Sequence, residues 1–331
     1  MTDHVLTYLC PNMAEVASLH LERLRLMRDE GFVVHVCACE DDAMDALARE
    51  GFVLRPLPKI LGLEHNLAAW LVCWGHLVEN PPTVLHGFGV WSWTAALAGR
   101  QLPIQVTCIS PNFRTLTFPT WLPSRLVGRL PIGPQDAIAW LGRGVDRCLV
   151  DSEAQLADLG VRISPEKLEL VVGAPGVQPC ESSYSTDAVL TVFANGFENL
   201  RRAIERRVPR LSIRDATEGS LQRDLDGTSL YFDAGGPGSR VRLMQAAARG
   251  IPCVTLSGEN EDVVVQGRTG LIATDLDDAV VCMLALLENP KLRQEMSVNA
   301  HSRAASRFMR AQVDDQIVRI YQRALRTRMG L

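Results

Sequence analysis

Short apolar runs alternate with stretches of helical periodicity along almost the whole chain. This rhythm restricts the fold more than any other feature of the sequence. Residues 4–10 (HVLTYLC) form an apolar run suited to a buried strand, and residues 14–30 follow with Val16, Leu19, Leu21, Leu24 and Met27 at roughly helical spacing. Gly31 stands where a helix should close, and GFVVHVCAC opens the next strand. The pattern continues with a helix over 42–51, the strand FVLRPL, a helix near 65–79, a strand at 83–89, a helix over 91–100 and a strand at 103–109. VDRCLVDS (145–152) and KLELVV (167–172) supply further strands. Strands spaced by helices in this way predict βαβ units, right-handed crossovers and a parallel sheet.

The stretch 172–187 is rich in Gly, Pro and Ser, and after it the strand–helix pattern restarts with AVLTVFA, FENLRRAIERR, SLYFDA and a glycine-rich turn. The chain ends in helical patterns, the last being AQVDDQIVRIYQRALRTRM. With 331 residues, two α/β domains are expected, each binding ligands at the carboxyl ends of its strands.

Apolar residues make up 47% and charged residues 22%, the balance of an ordinary globular protein. The formal charge of −4 carries no basic excess that would call for nucleic acid. No run of 18 apolar residues marks a membrane span, and MTDHVLTYLC lacks the basic flank of a secretory signal, so a cytoplasmic location is expected. The nine cysteines include no C-x-x-C and lie mostly in apolar runs, as buried thiols in a reducing compartment would. A zinc site on Cys37, Cys39 and a histidine is a weak alternative, because strand positions two apart seldom close a tetrahedron. No metal or cofactor is expected. Of 34 basic residues only Lys59, Lys167 and Lys291 are lysines.

One segment is more specific. Residues 234–275 read AGGPGSRVRLMQAAARGIPCVTLSGENEDVVVQGRTGLIATD. A glycine turn leads into a helix with Met244-Gln245-Ala246-Ala247-Ala248, then Gly250-Ile251-Pro252, then Asp262-Val263-Val264 and Gly267-Arg268-Thr269-Gly270. This order resembles the donor-binding segment of the retaining GT-B glycosyltransferases of family 4. LHGFGVWSWTAALAGRQLPIQVT and VDRCLVDSEAQLADLGV are similar to the later strands of that family's first domain, and RFMRAQVDDQIVRIYQRAL to its closing helix. The resemblance implies an α/β GT-B fold of two Rossmann-like domains facing a cleft. Residues 1–176 would form the acceptor-side domain and 177–310 a shortened nucleotide-sugar-side domain. Residues 311–331 would form a closing helix that packs back toward the first domain.

The same comparison exposes departures. The family's two glutamates fall on Pro237 and Gln245, and its phosphate-binding lysine has no counterpart in VFANGFENLRRAIERR. The glycine-rich turn of its first domain becomes Pro11-Asn12-Met13-Ala14, and its histidine after the fifth strand becomes Cys108-Ile109-Ser110-Pro111. The catalytic residues are therefore unassigned, and two functions stand side by side. One is a transferase moving a sugar with retention from a nucleotide-sugar to a glycan or lipid-linked acceptor. The other is a degenerate relative acting as a binding or scaffolding subunit of a partner glycosyltransferase.

On the donor side the candidates are Gly236, Gly238 and Ser239 at a helix N-terminus, Arg240 for the diphosphate, Gln245 for a ribose hydroxyl, and Arg201 in place of the missing lysine. Glu259, Glu261 and Asp262 form an acidic loop, either beside the donor sugar or capping a helix that begins near 262. On the acceptor side the candidates are His86, at a strand end, and Ser110, Asn112 and Arg114 in the following loop. His86 contacts a sugar or simply bonds a neighbouring loop carbonyl.

From Asn80 through Gln135 there is no Asp or Glu. Within that run, 112–132 mixes Arg114, Arg125 and Arg129 with Phe113, Phe118 and Trp121. Such a segment suits an anionic membrane surface at the inner face, a lipid-pyrophosphate acceptor, a protein partner, or burial under the rest of the chain.

Overall fold

A computed structural model describes residues 4–59, 65–111, 140–173, 187–193, 198–208, 210–217, 221–236, 238–257 and 260–330. Segment 112–132, with Asn112 and Arg114, lies outside the described residues, as do Pro237 and Glu259. The chain divides into two compact units, Met1–Val171 with Asp314–Leu331, and Val172–Val313.

The first unit holds a seven-stranded sheet in the order β3-β2-β1-β4-β5-β6-β7. Its strands are β1 (His4–Asn12), β2 (Phe32–Cys39), β3 (Val53–Leu57), β4 (Val84–Phe88), β5 (Val106–Ser110), β6 (Arg147–Val150) and β7 (Leu168–Leu170), all paired in parallel. The alternation read from sequence is thus realised strand by strand. The helices are α1 (Met13–Glu15), α2 (Leu21–Asp29), α3 (Met44–Arg49), α4 (Leu67–Glu79), α5 (Ser92–Gln101) and α6 (Glu153–Gly160). Between α1 and α2 the chain winds as a π-helix, Val16–His20, a form that often marks functional segments.

Sheet order reverses between β1 and β4, because β2 and β3 step away on one side and β4 onward on the other. Parallel α/β sheets open a crevice outside the strand ends at that point. One face of the sheet is covered by α4 and α5 over a core that includes Leu9, Cys37, Cys73, Leu77, Leu85, Trp91 and Ile109. Burial pushes the thiols of Cys108 and Cys148 up, the latter to about 12, so they are inert packing groups.

The second unit carries five parallel strands in the order β12-β11-β10-β8-β9: β8 (Val189–Phe193), β9 (Ser212–Asp215), β10 (Leu230–Asp233), β11 (Cys253–Leu256) and β12 (Gly270–Ala273). Its helices are α7 (Glu198–Arg207), α8 (Leu221–Asp224), α9 (Ser239–Ala248), α10 (Leu276–Glu288) and α11 (Pro290–Arg307). The reversal here lies between β8 and β10. The Gly-x-x-Gly run has a packing cause: Gly267 turns with φ +72°, and a Cβ on Gly270 would sit 2.0 Å from the Cys253 carbonyl oxygen on the neighbouring strand.

The last helix, α12 (Arg310–Met329), returns to the first sheet. Its buried stripe includes Ile317, Ile320, Tyr321, Ala324 and Leu325. Asp314 pairs with Arg23 of α2 at 2.8 Å, both nearly inaccessible. Arg323 pairs with Glu169 at 2.9 Å, and Gln316 donates to the Leu170 carbonyl at 2.7 Å. Among the described residues no helix is long and apolar enough to cross a membrane.

Candidate functional site

In the second unit the turn leaving β10 has three left-handed glycines, Gly235 (φ +94°), Gly236 (φ +88°) and Gly238 (φ +76°), immediately before α9. A Cβ built on Gly235 or Gly236 would meet nothing within 4 Å, so the space over the turn is open. The turn stands at the reversal point of its sheet, where backbone N–H groups and a helix N-terminus suit an anion.

Beneath this turn lies a network that sequence reasoning did not find. Asp233, the last residue of β10, is wholly buried. One carboxylate oxygen accepts from the Gly235 N–H at 2.9 Å and the Ser239 hydroxyl at 2.8 Å. The other accepts from Arg242 Nε at 2.8 Å and the Tyr231 hydroxyl at 3.0 Å. The Arg242 guanidinium also lies over the Phe193 ring at 3.6 Å, tying the end of β8 to α9 across the reversal point. Asn260 donates to Ser239 Oγ at 3.0 Å. Burial and the neighbouring Asp233 raise the Tyr231 phenol, so it stays protonated and donates. A charged residue ending an apolar strand, with Tyr231 two positions earlier on the same face, was the available signal.

The other donor-side candidates are placed as follows. Arg240 forks onto both carboxylate oxygens of Asp262, and Arg303 donates to the Asp262 carbonyl. The expected helix at 262 is not formed; residues 260–263 make a turn, and Asp262 serves as an ion-pair partner instead. Glu261 is exposed and Gln245 half-buried on α9. Arg201 reaches both oxygens of Asp215 on the edge strand β9 at 2.7 Å. Thus Ser239, Arg240 and Asp262 are brought together, and Arg201 is held by a different partner.

In the first unit the turn after β1 is capped by side chains. Asn12 accepts from the Glu15 N–H and Asp41 from the Ala14 N–H, both at 2.8 Å, so two of the first helical donors are consumed. A pocket of about 420 Å³ opens beside it, at the β1–β4 reversal point. It is lined by Pro11 near the end of β1, Glu15 of α1 and His20 of the π-helix, by Phe88 at the end of β4 with Val90 just after it, and by Ser110 at the end of β5.

His86 stands in the middle of β4 rather than at its end, wholly buried, and its two ring nitrogens meet the Tyr321 and Ser110 hydroxyls instead of a loop carbonyl, so it reaches the pocket only through Ser110. Parallel register sets Tyr8 beside His86 and Cys108 on its other side, which puts Ser110 two residues on and on the same face. His86 Nε2 and Ser110 Oγ lie 2.8 Å apart, His86 Nδ1 bonds the Tyr321 hydroxyl, and the Tyr321 and Tyr8 hydroxyls are 2.8 Å apart. Burial, with the positive charge of Arg23 beside it, holds His86 well below the usual histidine range and hence neutral. Among the described residues no group of three His, Cys, Asp or Glu is arranged to hold a metal.

No protein-family model matches the chain, and no curated protein matches it in sequence. Solved structures match it along nearly all of both chains. Sucrose-phosphate synthase from Thermosynechococcus elongatus superposes with a TM-score of 0.66 at 11% identity, covering 97% of this chain and 98% of that one. HepE from Anabaena, in complex with UDP and glucose, gives 0.65 at 13% identity over 96% and 99%. A glycosyltransferase from Rickettsia africae gives 0.64 at 9% identity over 98% and 99%. Two parallel sheets, a helix returning from the chain's end to the first sheet, and these full-length likenesses give this protein the GT-B fold of glycosyltransferases.

Proposed function

We propose that the protein is a glycosyltransferase-like protein of glycan or glycolipid assembly. It binds a nucleotide-sugar on its second unit and passes the sugar, with retention as the resemblance to family 4 implies, to a carbohydrate or lipid-linked acceptor. The observation that carries this reading is the open turn of left-handed glycines entering α9 at the strand reversal. The likeness to HepE, whose structures hold UDP and UDP-glucose, supports a uridine nucleotide as the first ligand to try. The donor diphosphate would lie against the Gly235–Gly238 backbone, with Arg240 released from Asp262 to meet it. Gln245 would contact the ribose. The acceptor would meet Ser110 and the loop that follows, and segment 112–132 would approach an anionic inner membrane face.

A second reading is favoured by the closed state of the charged groups. Arg240 is forked onto Asp262, and Arg242 fills the reversal point between Phe193 and Asp233. On this reading the chain is a degenerate relative that serves as a subunit of a partner glycosyltransferase. Calorimetric titration with UDP and a panel of nucleotide-sugars, followed by product analysis, separates the two. Binding with transfer or slow donor hydrolysis is expected for the enzyme, and binding without either for the degenerate form. If a folded preparation binds none of them, the nucleotide-sugar reading fails.

A further inference from the structure

The buried chain of hydroxyls behind Ser110 has a direction. Each hydroxyl hydrogen in it can serve one acceptor only. Two senses are open to the bonds from Tyr8 through Tyr321 and His86 to Ser110. In the first, Tyr8 donates to Tyr321, Tyr321 to His86 Nδ1, and His86 Nε2–H to Ser110 Oγ. Every buried hydrogen is then used, and the Ser110 hydroxyl hydrogen points onward. In the reverse sense Ser110 donates to His86 and Tyr321 to Tyr8. Tyr8 then accepts from Tyr321, and its own wholly buried hydroxyl hydrogen meets no acceptor among the hydrogen bonds of the described residues. A buried unsatisfied donor is costly, and aligned hydrogen bonds reinforce one another, so the first sense is selected.

We infer that Ser110 is a hydrogen-bond donor aimed into the first-unit pocket, fixed in that role by Tyr321 of the closing helix acting through His86, and that the pocket takes a neutral sugar ring. Tyr321 is a positioning residue, since it is not among the described residues that line the pocket. The ligand class follows from what surrounds Ser110. Phe88, Val90 and Pro11 offer an apolar wall for the face of a pyranose, and the Glu15 carboxylate can accept from one hydroxyl while Ser110 donates to another. Among the described lining residues there is no Lys or Arg, and the one basic side chain, His20, is buried against Tyr8 and Phe88. The neighbouring helix N–H groups of Ala14 and Glu15 already have side-chain acceptors, which weighs against a phosphate. The ligand class rests on the glycosyltransferase-like reading above; the direction of the relay does not.

The relay is tested in the uniformly 15N-labelled full chain by a two-bond 1H–15N correlation spectrum, with His86 assigned through its ring contacts to Tyr321 and Phe88. The Nε2–H tautomer is expected, and an Nδ1–H tautomer overturns the proposal. Tyr321→Phe keeps the ring and removes the hydroxyl, so a loss of the fixed Nε2–H form supports the positioning role, which packing alone would not change. Ligand class is tested by titrating methyl glucopyranoside and glucose 1-phosphate against the Ser110 amide signal. The glycoside is expected to shift it more strongly. Ser110→Ala should weaken glycoside binding about tenfold, the worth of one hydrogen bond, while Ser110→Thr retains it. No shift with the glycoside, or a larger one with the phosphate, overturns the neutral-sugar assignment. UDP affinity, measured separately, is not part of these outcomes, so loss of the donor reading is distinguishable from loss of this one.

Discussion

Single side chains decide whether the charged groups at the strand ends are ligands or struts. Asp233 accepts from four residues in a site with no solvent access, and Arg242 is its counter-ion at 5% side-chain exposure. A buried pair broken from one side leaves a naked charge, so Asp233→Ala should cost about 3–5 kcal/mol, read as a fall in the urea midpoint of the full chain. Histidines give the second expectation at this scale. Burial holds His65 down at about 4, against Trp91 and Thr94, and it also lowers His35 and His76, which face each other at 3.2 Å. Their folded pKa values lie below the unfolded value of 6.5, so the unfolded chain binds more protons in acid. Stability is then complete above about pH 6.5 and falls as pH drops from 6.5 toward 4. Melting temperatures at pH 7, 6 and 5 should decline in that order; a constant value across the series would contradict neutral burial of these rings.

At the scale of elements, α4 stands out. It buries Ala69, Cys73, His76 and Leu77, yet its outer side carries Leu67, Leu71 and Val78 at 50%, 55% and 53% exposure. Trp70 and Trp74 stack at 5.3 Å, both half-buried. A surface helix ordinarily shows a polar outer face, and this one does not. Leu71→Glu should therefore leave stability within about 0.5 kcal/mol while reducing binding of an apolar dye and self-association in light scattering. The element pattern was largely legible beforehand, because periods of 2 and 3.6 are local properties of a chain. Boundaries near 83–89, 91–100 and 103–109 fell within a few residues of β4, α5 and β5. The helix expected near 262 was misread, because a cluster of carboxylates looks the same whether it caps a helix or holds an arginine from another turn.

The first unit is tied together by the two ends of the chain. Arg23 and Asp314 are separated by 291 residues, yet they form a pair at 2% and 1% side-chain exposure. Tyr8 and Tyr321, 313 apart, share a hydrogen bond within the same layer. The first unit is therefore incomplete until the last helix is made, and its folding waits on the end of the chain. Asp314→Ala should cost about 3–5 kcal/mol by leaving Arg23 buried and unpaired, and the loss should appear in urea unfolding followed by tryptophan fluorescence, since all six tryptophans precede residue 141. An effect below about 1 kcal/mol would show that Arg23 finds water or another acceptor.

The sequence by itself determined the α/β class, the two successive strand–helix runs and the glycine turn before α9, because periodicity and backbone requirements are written in neighbouring residues; the return of the last helix was implied by the family resemblance alone. It also set Ser110, Arg240 and Asp262 near strand ends and turns, whereas His86, expected at a strand end, stands in the middle of β4. What those side chains do was decided only by tertiary structure. Arg240 meets Asp262 across 22 positions, Asp233 meets Arg242 across the turn, and His86 meets Tyr321 across 235. Charge pairing and hydrogen-bond direction depend on partners that no local window contains, and burial, which sets their energy, is a property of the assembled layers alone.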